Sequence, residues 1–254
     1  MKNRDFIITS LQPWDIEIGS TIKNTALEIS KNNRVLYINT PMDYSTRLRG
    51  NKNKAWTRRM DVIKKQASPI RQINEHMWIA DCPFCVLPVG GLPTTCLFDW
   101  INRINNRKIA DYIRQITAQL NFNNYIHLID TDIYRSQYLK EYLTPSLSIY
   151  YCRDFVIGES YWKKNGVRLE PLLAAKSDIV LANSTHFAER FRQYNRHTFS
   201  IETGVNLALY DGRKKWLIPE DIKPIPHPII GYVGTVNSTR LDSDLLLQIA
   251  EERP

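Results

Sequence analysis

Short runs of β-forming residues alternate with segments of helical periodicity along most of this chain, and that alternation limits the folds open to it. The predicted strands cover residues 6–11, 34–39, 77–80, 125–129, 147–151 and 179–182. The predicted helices cover residues 20–30, 98–120, a segment from 133 to 142, 168–177 and 184–194. Because the two-residue turns of antiparallel hairpins are missing between these strands, we expect crossover helices with right-handed connections. The sequence therefore predicts an α/β fold whose doubly wound, mostly parallel sheet is Rossmann-like.

A second α/β unit is predicted near the end of the sequence. Ile229 to Gly234 has the character of a buried strand, and Leu241 to Glu252 has helical periodicity. Three prolines between Lys223 and Pro228 favour a stiff linker before them. We expect an N-terminal domain, a proline-rich linker and the first βα unit of a second Rossmann-like domain, over residues 1–208, 209–228 and 229–254. One strand and one helix cannot bury their apolar faces alone, so we expect this second domain to be incomplete, with an exposed apolar patch that promotes self-association.

The composition is that of a globular protein, with 43% hydrophobic and 24% charged residues. No apolar run approaches the roughly 20 residues of a membrane-spanning helix. The N-terminal residues lack the apolar segment of a signal peptide, and four cysteines are typical of a reducing compartment. We therefore expect a cytoplasmic protein.

Basic residues are concentrated in one segment. The formal net charge is +8, and eight basic residues fall between Arg47 and Lys65, opposed only by Asp61. One interpretation is a solvated surface. A second is a surface for anionic lipids, worth about 1 kcal/mol per basic side chain, which would place the protein at the inner face of the cell membrane. A third is nucleic-acid binding, but no known motif accompanies the cluster, so we expect no nucleic-acid partner.

Two segments that follow predicted strands are candidates for ligand binding, because the crevice of a parallel sheet lies outside the carboxyl ends of its strands. Gly19 and Ser20 open the first helix, where backbone N–H groups favour an anion and glycine permits close approach; close packing of helix against strand is the alternative. Arg153 and Asp154 follow strand 147–151. Asp154 could accept a substrate hydroxyl or stabilise an oxocarbenium-like transition state, with Arg153 paired to it; a structural pair or cap is the alternative.

Two other motifs are better explained by structural roles, and the motifs of two further enzyme classes are missing. Cys82 and Cys85 have the spacing of a redox centre or half a zinc site, but no second ligand pair follows and the next residues cannot form a helix. Asp130 and Asp132 have a spacing that binds metal in sugar transferases of another fold, yet Asp132 is a natural N-cap for the helix that follows. Spacing reveals no Ser-His-Asp triad, and the glycine and Tyr-x-x-x-Lys motifs of an epimerase are missing.

Several segments resemble family-4 retaining glycosyltransferases of the two-Rossmann-domain type, GT-B. Residues Ala175 to Ser184 resemble the sequence A-x-x-D-x-V-x-A-N-S that closes the N-terminal domain of that family. Residues Thr203 to Tyr210 resemble the passage N-G-V-D-x-x-x-F into the interdomain linker. Ile229 to Gly234 is similar to the strand that begins the donor domain. Gln12 to Trp14, with Arg34 to Asn39, is similar to bacterial polysaccharide-building members.

The resemblance implies transfer of a sugar from a nucleotide-sugar donor to a glycan or lipid-linked acceptor in cell-surface polysaccharide assembly. It implies retention at the anomeric carbon, no cofactor and no obligatory metal. It places Asp154 near the reacting centre, Gly19 beside the transferred sugar and diphosphate, and Gly234 and Arg240 facing the donor diphosphate. The lysine and paired glutamates of the family's donor domain are not reached by Pro254. A non-catalytic module that binds glycan, lipid or a partner chain is therefore the alternative.

Overall fold

The computed structural model describes residues 1–16, 19–51, 53–204, 207, 210–234 and 241–252. The chain divides into two units, Met1–Asn206 and Leu207–Pro254. All the strands found among the described residues belong to the first unit. No helix in the described ranges is both long enough and apolar enough to cross a bilayer.

The first unit is built on a sheet with helices on both faces. Its strands are β1 Asp5–Ser10, β2 Arg34–Ile38, β3 Ile70–Asn74, β4 Met77–Ala80, β5 Ile126–Asp130, β6 Leu147–Cys152, β7 Ile179–Ala182 and β8 Thr198–Ser200. Its helices are α1 Thr21–Ser30, α2 Tyr44–Arg49, α3 Lys54–Ile63, α4 Thr95–Gln119, α5 Leu139–Leu143, α6 Ser160–Lys176 and α7 Thr185–Arg192.

The strand order across the sheet is β3-β4-β2-β1-β5-β6-β7-β8. Successive connections run outward from β1 on one side and from β5 on the other, so the direction of winding reverses between these two strands. The pair β3 and β4 is antiparallel, and the other neighbouring pairs are parallel. The predicted doubly wound, mostly parallel α/β fold is confirmed.

The β3–β4 hairpin contradicts the expectation that two-residue turns are missing. Glu75 and His76 connect the two strands, and the side chain of Asn74 accepts a hydrogen bond from the backbone N–H of His76 at 2.9 Å. This Asx turn replaces the glycine that usually marks a hairpin, and β3 is mostly polar because it lies at the edge of the sheet. Neither property gives a strong strand signal in the sequence.

Two helices differ from their predicted extents. The first six residues of the predicted helix 133–142 form turns, and α5 begins only at Leu139. In contrast, α6 begins at Ser160, well before the predicted start at Arg168, and continues through Pro171. Pro171 leaves the carbonyl of Val167 without its helical N–H partner, and packing of one face of the helix on the sheet offsets that loss.

The core lies on both faces of the sheet. In β1, Ile7 packs with Leu36 and with the α4 side chains on one face, while Phe6 and Ile8 pack with α1 on the other. Each fully buried aliphatic side chain contributes about 1.5–3 kcal/mol. Because helices cover both faces of the sheet, polar side chains that could bind a ligand are expected at the ends of the strands.

The second unit contains α8, Ser243–Glu252, which matches the predicted helix. None of the described residues of this unit is buried, and Leu217 and Ile230 are 97% and 91% exposed. The predicted strand Ile229 to Gly234 is not found as a strand, because no other strand of this unit occurs among its described residues to pair with it. The domain boundaries and self-association of this region stay predictions.

Candidate functional site at the carboxyl edge of the sheet

A buried ion pair marks the point where the sheet changes its direction of winding. Asp130, the last residue of β5, is fully buried, and its Oδ2 accepts a hydrogen bond from the hydroxyl of Ser10 at 2.6 Å. Arg153, which follows β6, donates to both carboxylate oxygens, with its Nη2 at 2.9 Å from Oδ2 and its Nε on Oδ1. This pairing fixes the ends of β1, β5 and β6 against one another, in the region where open α/β sheets bind ligands.

Gln12 connects this ion pair to the first helix. Its Oε1 accepts hydrogen bonds from the Nη2 of Arg153 at 3.4 Å and from the hydroxyl of Ser20. Ser20 is 6% exposed and occupies the N-cap position of α1 without capping it through its side chain. The structure therefore brings together Ser20 and Arg153, two of the predicted substrate-binding residues. Both side chains already have protein partners, and their contact with a substrate stays a prediction.

Asp154 is exposed at the same edge of the sheet. Its carboxylate makes no hydrogen bond or ion pair with the part of the chain that the structure describes. The expectation that Arg153 pairs with Asp154 is wrong, because the guanidinium of Arg153 is directed at the buried Asp130. The Nδ2 of Asn183 donates to the carbonyl of Arg153 at 2.6 Å and so holds the turn that presents Asp154.

Thr131 has an uncommon backbone conformation beside this ion pair. Its φ of 56° lies in the left-handed region, which a β-branched residue adopts rarely and at a cost of about 1–3 kcal/mol. The backbone N–H of Thr131 donates to the carbonyl of Tyr151 at 3.0 Å, and its hydroxyl accepts from the N–H of Arg153 at 3.2 Å. Such strained positions cluster at functional sites, so this observation favours a site at the edge formed by β5 and β6.

The predicted glycine and arginine contacts fall in different parts of the chain. Gly19 is exposed, and a Cβ built on it would meet no atom within 4 Å, so the space beside it is open. Gly234 lies in the second unit, where a Cβ would collide with the side chain of Tyr232. Arg240 lies outside the described residues. The assignment of these residues to a donor site stays a prediction.

A second polar cluster, which sequence analysis missed, lies at the ends of β2 and β4. The carboxylate of Asp81 is fully buried and accepts from the Nδ2 of Asn39 at 2.6 Å and from the Nε of Arg58 at 3.1 Å. The Nη2 of Arg71 donates to Asp15 at 2.8 Å. Asn39 and Asp81 both follow a strand directly, so the same positional rule that selected Asp154 would have identified them.

An open pocket of about 400 Å³ adjoins this second cluster. Trp14, Asp15, Lys23, Arg58 and Arg71 are among its lining residues. The ammonium of Lys23 lies 5.4 Å from the centroid of the Trp14 ring. A half-buried aromatic ring with cations around it suits a sugar ring or an anionic group. Arg58 belongs to the basic segment 47–65 and here contacts Asp81 within the protein; binding of that segment to a membrane is not tested.

A wider opening of about 610 Å³ lies at the opposite, amino-terminal edge of the sheet. Its Arg34 is bound to Asp5 at 2.6 Å and to the carbonyls of Leu120 and Asn121 at 3.1 and 2.7 Å. These contacts join the starts of the strands to the end of α4. We assign the candidate site to the carboxyl edge, because that edge carries the strained Thr131 and the unpaired carboxylate.

The Cys82–Cys85 pair and Asp132 have structural roles. Both thiols are buried and free, and burial raises the pKa of Cys82 to about 12, which keeps it protonated and unreactive. Asp132 caps the first turn after β5, where its Oδ1 accepts from the N–H of Arg135 at 3.3 Å, and burial raises its pKa. Within the described ranges, no three His, Cys, Asp or Glu side chains converge on a metal position.

No protein-family model and no curated protein matches the chain. Among solved structures, the chain is similar to a sucrose-phosphate synthase from Thermosynechococcus elongatus, with 11% sequence identity and a TM-score of 0.46. The match covers 83% of this chain and 96% of that one.

Proposed function

We propose that this chain carries the acceptor-binding domain of a retaining GT-B glycosyltransferase. The enzyme would transfer a sugar from a nucleotide-sugar donor to a glycan or lipid-linked acceptor in cell-surface polysaccharide biosynthesis. The observation that carries the proposal is the exposed Asp154 carboxylate, which follows β6, the strand beside β5 at the switch point of the doubly wound sheet. The ordered sequence motifs of the GT-B resemblance support the same assignment.

The residues of the longest motif have structural roles that support this site. Asp178 accepts from the backbone N–H of Ser148 at 2.7 Å and pairs with Lys140 at 2.6 Å, which fixes β7 beside β6. Ser184 accepts from the N–H of Phe187 at 3.3 Å and so caps α7. Asn183 holds the carbonyl of Arg153. The motif therefore positions the turn that carries Asp154.

The chemistry of the reaction explains why an unpaired carboxylate is useful here. As the acceptor oxygen bonds to the anomeric carbon, its hydroxyl proton must leave, while the bond from that carbon to the nucleoside diphosphate breaks. Asp154 would take up the proton of the acceptor hydroxyl as a general base, and until that transfer is complete its negative charge would stabilise the positive charge that develops on the sugar. The open space beside Gly19 would admit the transferred sugar. Gly234 and Arg240 would face the departing diphosphate, and no metal is proposed.

The position of the acceptor would determine where in the cell the enzyme works. A lipid-linked acceptor would bring the enzyme to an anionic surface, and the basic segment 47–65 would contribute about 1 kcal/mol for each basic residue that reaches it. We propose a cytoplasmic enzyme that binds peripherally at the inner face of the membrane.

The test uses full-length protein with a complete donor domain and compares wild type with Asp154→Asn and Asp154→Ala against a panel of nucleotide sugars and acceptors, by release of nucleoside diphosphate. We expect turnover with at least one donor, and a loss of about 100-fold or more in both variants, the usual size for a general base. Glu189→Gln is the matched control, because Glu189 is an exposed carboxylate on α7 outside the site. Full activity in Asp154→Asn would refute the assigned role.

The alternative function, a non-catalytic binding module, gives a different result in the same experiment. Such a module would bind a glycan acceptor by calorimetry but release no nucleoside diphosphate with any donor. Absence of both binding and turnover in a folded protein would contradict the transferase and the binding module alike.

A further inference from the structure

Phe155, the residue after Asp154, presents an aromatic ring at the carboxyl edge of the sheet. It is 55% exposed, whereas the next two residues, Val156 and Ile157, pack in the core beneath α6. Consecutive Cα atoms are about 3.8 Å apart, so the ring is carried within one residue of the carboxylate assigned to the acceptor hydroxyl.

The exposed ring of Phe155 is held in one orientation. It stacks on Phe187 of α7, with the ring centroids 6.3 Å apart and the two planes within 8° of parallel. The guanidinium of Arg190, also on α7, lies 5.5 Å from the Phe155 centroid. A Cβ built on Gly158 would lie 3.0 Å from the ring, so the ring packs directly against the backbone at that glycine. A single exposed phenylalanine needs no functional explanation, but this one is fixed by three contacts.

The support of the Phe155 ring extends into the core. The Nη2 of Arg190 donates to the carboxylate of Glu170 at 2.7 Å, and Glu170 is 1% exposed. The same guanidinium lies 4.9 Å from the ring centroid of the buried Phe191. Since these contacts place α7 against the Phe155 ring and more than half of the residue is still exposed, part of the ring surface is open to a ligand.

An aromatic ring beside a carboxylate is chemically suited to a sugar. A pyranose has an apolar face of C–H groups and a rim of hydroxyls. The C–H groups can pack on the electron-rich face of an aromatic ring, and a hydroxyl can donate to a carboxylate. A phosphate group would instead be repelled by the Asp154 carboxylate and by the negative face of the ring.

We propose that Phe155 is a positioning residue that packs on the sugar ring of the acceptor while Asp154 takes up the proton of its hydroxyl. The inference rests on the proposed function and narrows its acceptor to a sugar residue at the end of a glycan, in place of a bare lipid phosphate. The stacked sugar would keep its reacting hydroxyl next to the carboxylate, which is the contribution of a positioning residue to the rate.

The first experiment measures sugar binding to the full chain by saturation-transfer NMR. The probes are the methyl glycosides of glucose, galactose, N-acetylglucosamine and rhamnose. We expect at least one of them to bind with saturation concentrated on the C–H groups of one face. Phe155→Leu should weaken its affinity about tenfold, and Phe155→Tyr, which keeps the ring, should not. The matched control is Phe199→Leu, because Phe199 is a phenylalanine of β8 with a similar exposure, 52%. Equal affinity in wild type and Phe155→Leu would overturn the inference.

Two further probes test the same site in the wild-type chain, so the result does not depend on the folding of a variant. Mannitol carries hydroxyls without a rigid apolar face, and equal binding of mannitol would count against stacking. Binding of a short prenyl phosphate, with no binding of any glycoside, would reject a sugar acceptor in favour of a lipid phosphate.

Kinetics of the full-length protein separate this inference from the proposed function. Phe155→Leu should raise the KM for the acceptor about tenfold and leave kcat within about twofold, since it removes binding rather than the general base. Turnover that is lost in Asp154→Asn but keeps its KM in Phe155→Leu would overturn the stacking role alone. Glycoside binding that depends on Phe155, without turnover for any donor, would support the sugar site and reject the transferase.

Discussion

Replacing Arg153 with glutamine tests the scaffold of the candidate site. In the folded protein Asp130 is fully buried, and Arg153 has a side chain only 13% exposed. Glutamine stays polar but is shorter and uncharged, so the carboxylate of Asp130 would retain only the hydroxyl of Ser10 as a strong donor. Breaking a buried pair from one side in this way destabilises a protein by about 3–5 kcal/mol.

A double-mutant cycle combines this variant with one that removes the opposite charge. Asp130→Asn keeps the shape of the side chain and leaves Arg153 without a carboxylate, and we expect a loss of about 2–3 kcal/mol. The double variant has neither charge, so its loss should be smaller than the sum of the single losses by about 2 kcal/mol. For a chain of this size, a 3 kcal/mol loss should lower Tm by about 6–12 °C.

The assay is urea unfolding followed by circular dichroism, with thermal unfolding as a second measure. Lys31→Gln is the control, because Lys31 pairs with Glu28 on the surface, where both side chains are more than half exposed, at 65% and 72%. We expect that control to change the free energy of unfolding by less than about 0.5 kcal/mol. Additive losses in the double variant would refute the reasoning, since they would show that the two charges do not interact.

Other predictions concern the rest of the first unit. Burial lowers the pKa of His127 from 6.5 to about 3, so below pH 6.5 the unfolded chain binds a proton that the folded one does not, and the free energy of unfolding should fall by about 2 kcal/mol between about pH 7.5 and about pH 5. A His127→Gln variant should show a shallower pH dependence in urea unfolding. Cys96 is exposed, whereas the other cysteines are buried, so a thiol reagent should label one site on the native protein and four after unfolding. Arg190→Ala should lower stability by about 3 kcal/mol or more, because the buried Glu170 carboxylate accepts from Arg190 at 2.7 Å; an unchanged Tm would contradict this.

The central part of the fold could be predicted from the sequence because its signals are strong. Strands such as β1 and β5 are buried along their whole length and rich in isoleucine, and α4 carries an apolar stripe over 25 residues, so both kinds of element are visible in the sequence. Edge elements gave weaker signals. β3 is largely exposed, and β8 has only three residues, so neither has an apolar pattern of sufficient length.

The candidate site was predictable in position but not in pairing. The rule that ligands bind beyond strand ends selected Arg153 and Asp154, and the structure places both at that edge. The sequence could not show that Arg153 pairs with Asp130, a residue 23 positions earlier, because that contact depends on the register of β5 against β6.

Charged side chains at this edge fall into two groups with different consequences for function. Asp130 with Arg153, and Asp81 with Arg58, are partners of one another, so their interactions already contribute to the folded state. The carboxylate of Asp154, in contrast, makes no hydrogen bond or ion pair with the described residues. A substrate can gain little by competing for a carboxylate that already holds an arginine, whereas it forms new interactions with a charge that has no partner. Substitution of a paired residue should therefore change the free energy of unfolding first, and substitution of an unpaired one should change binding or turnover while leaving stability almost unaltered.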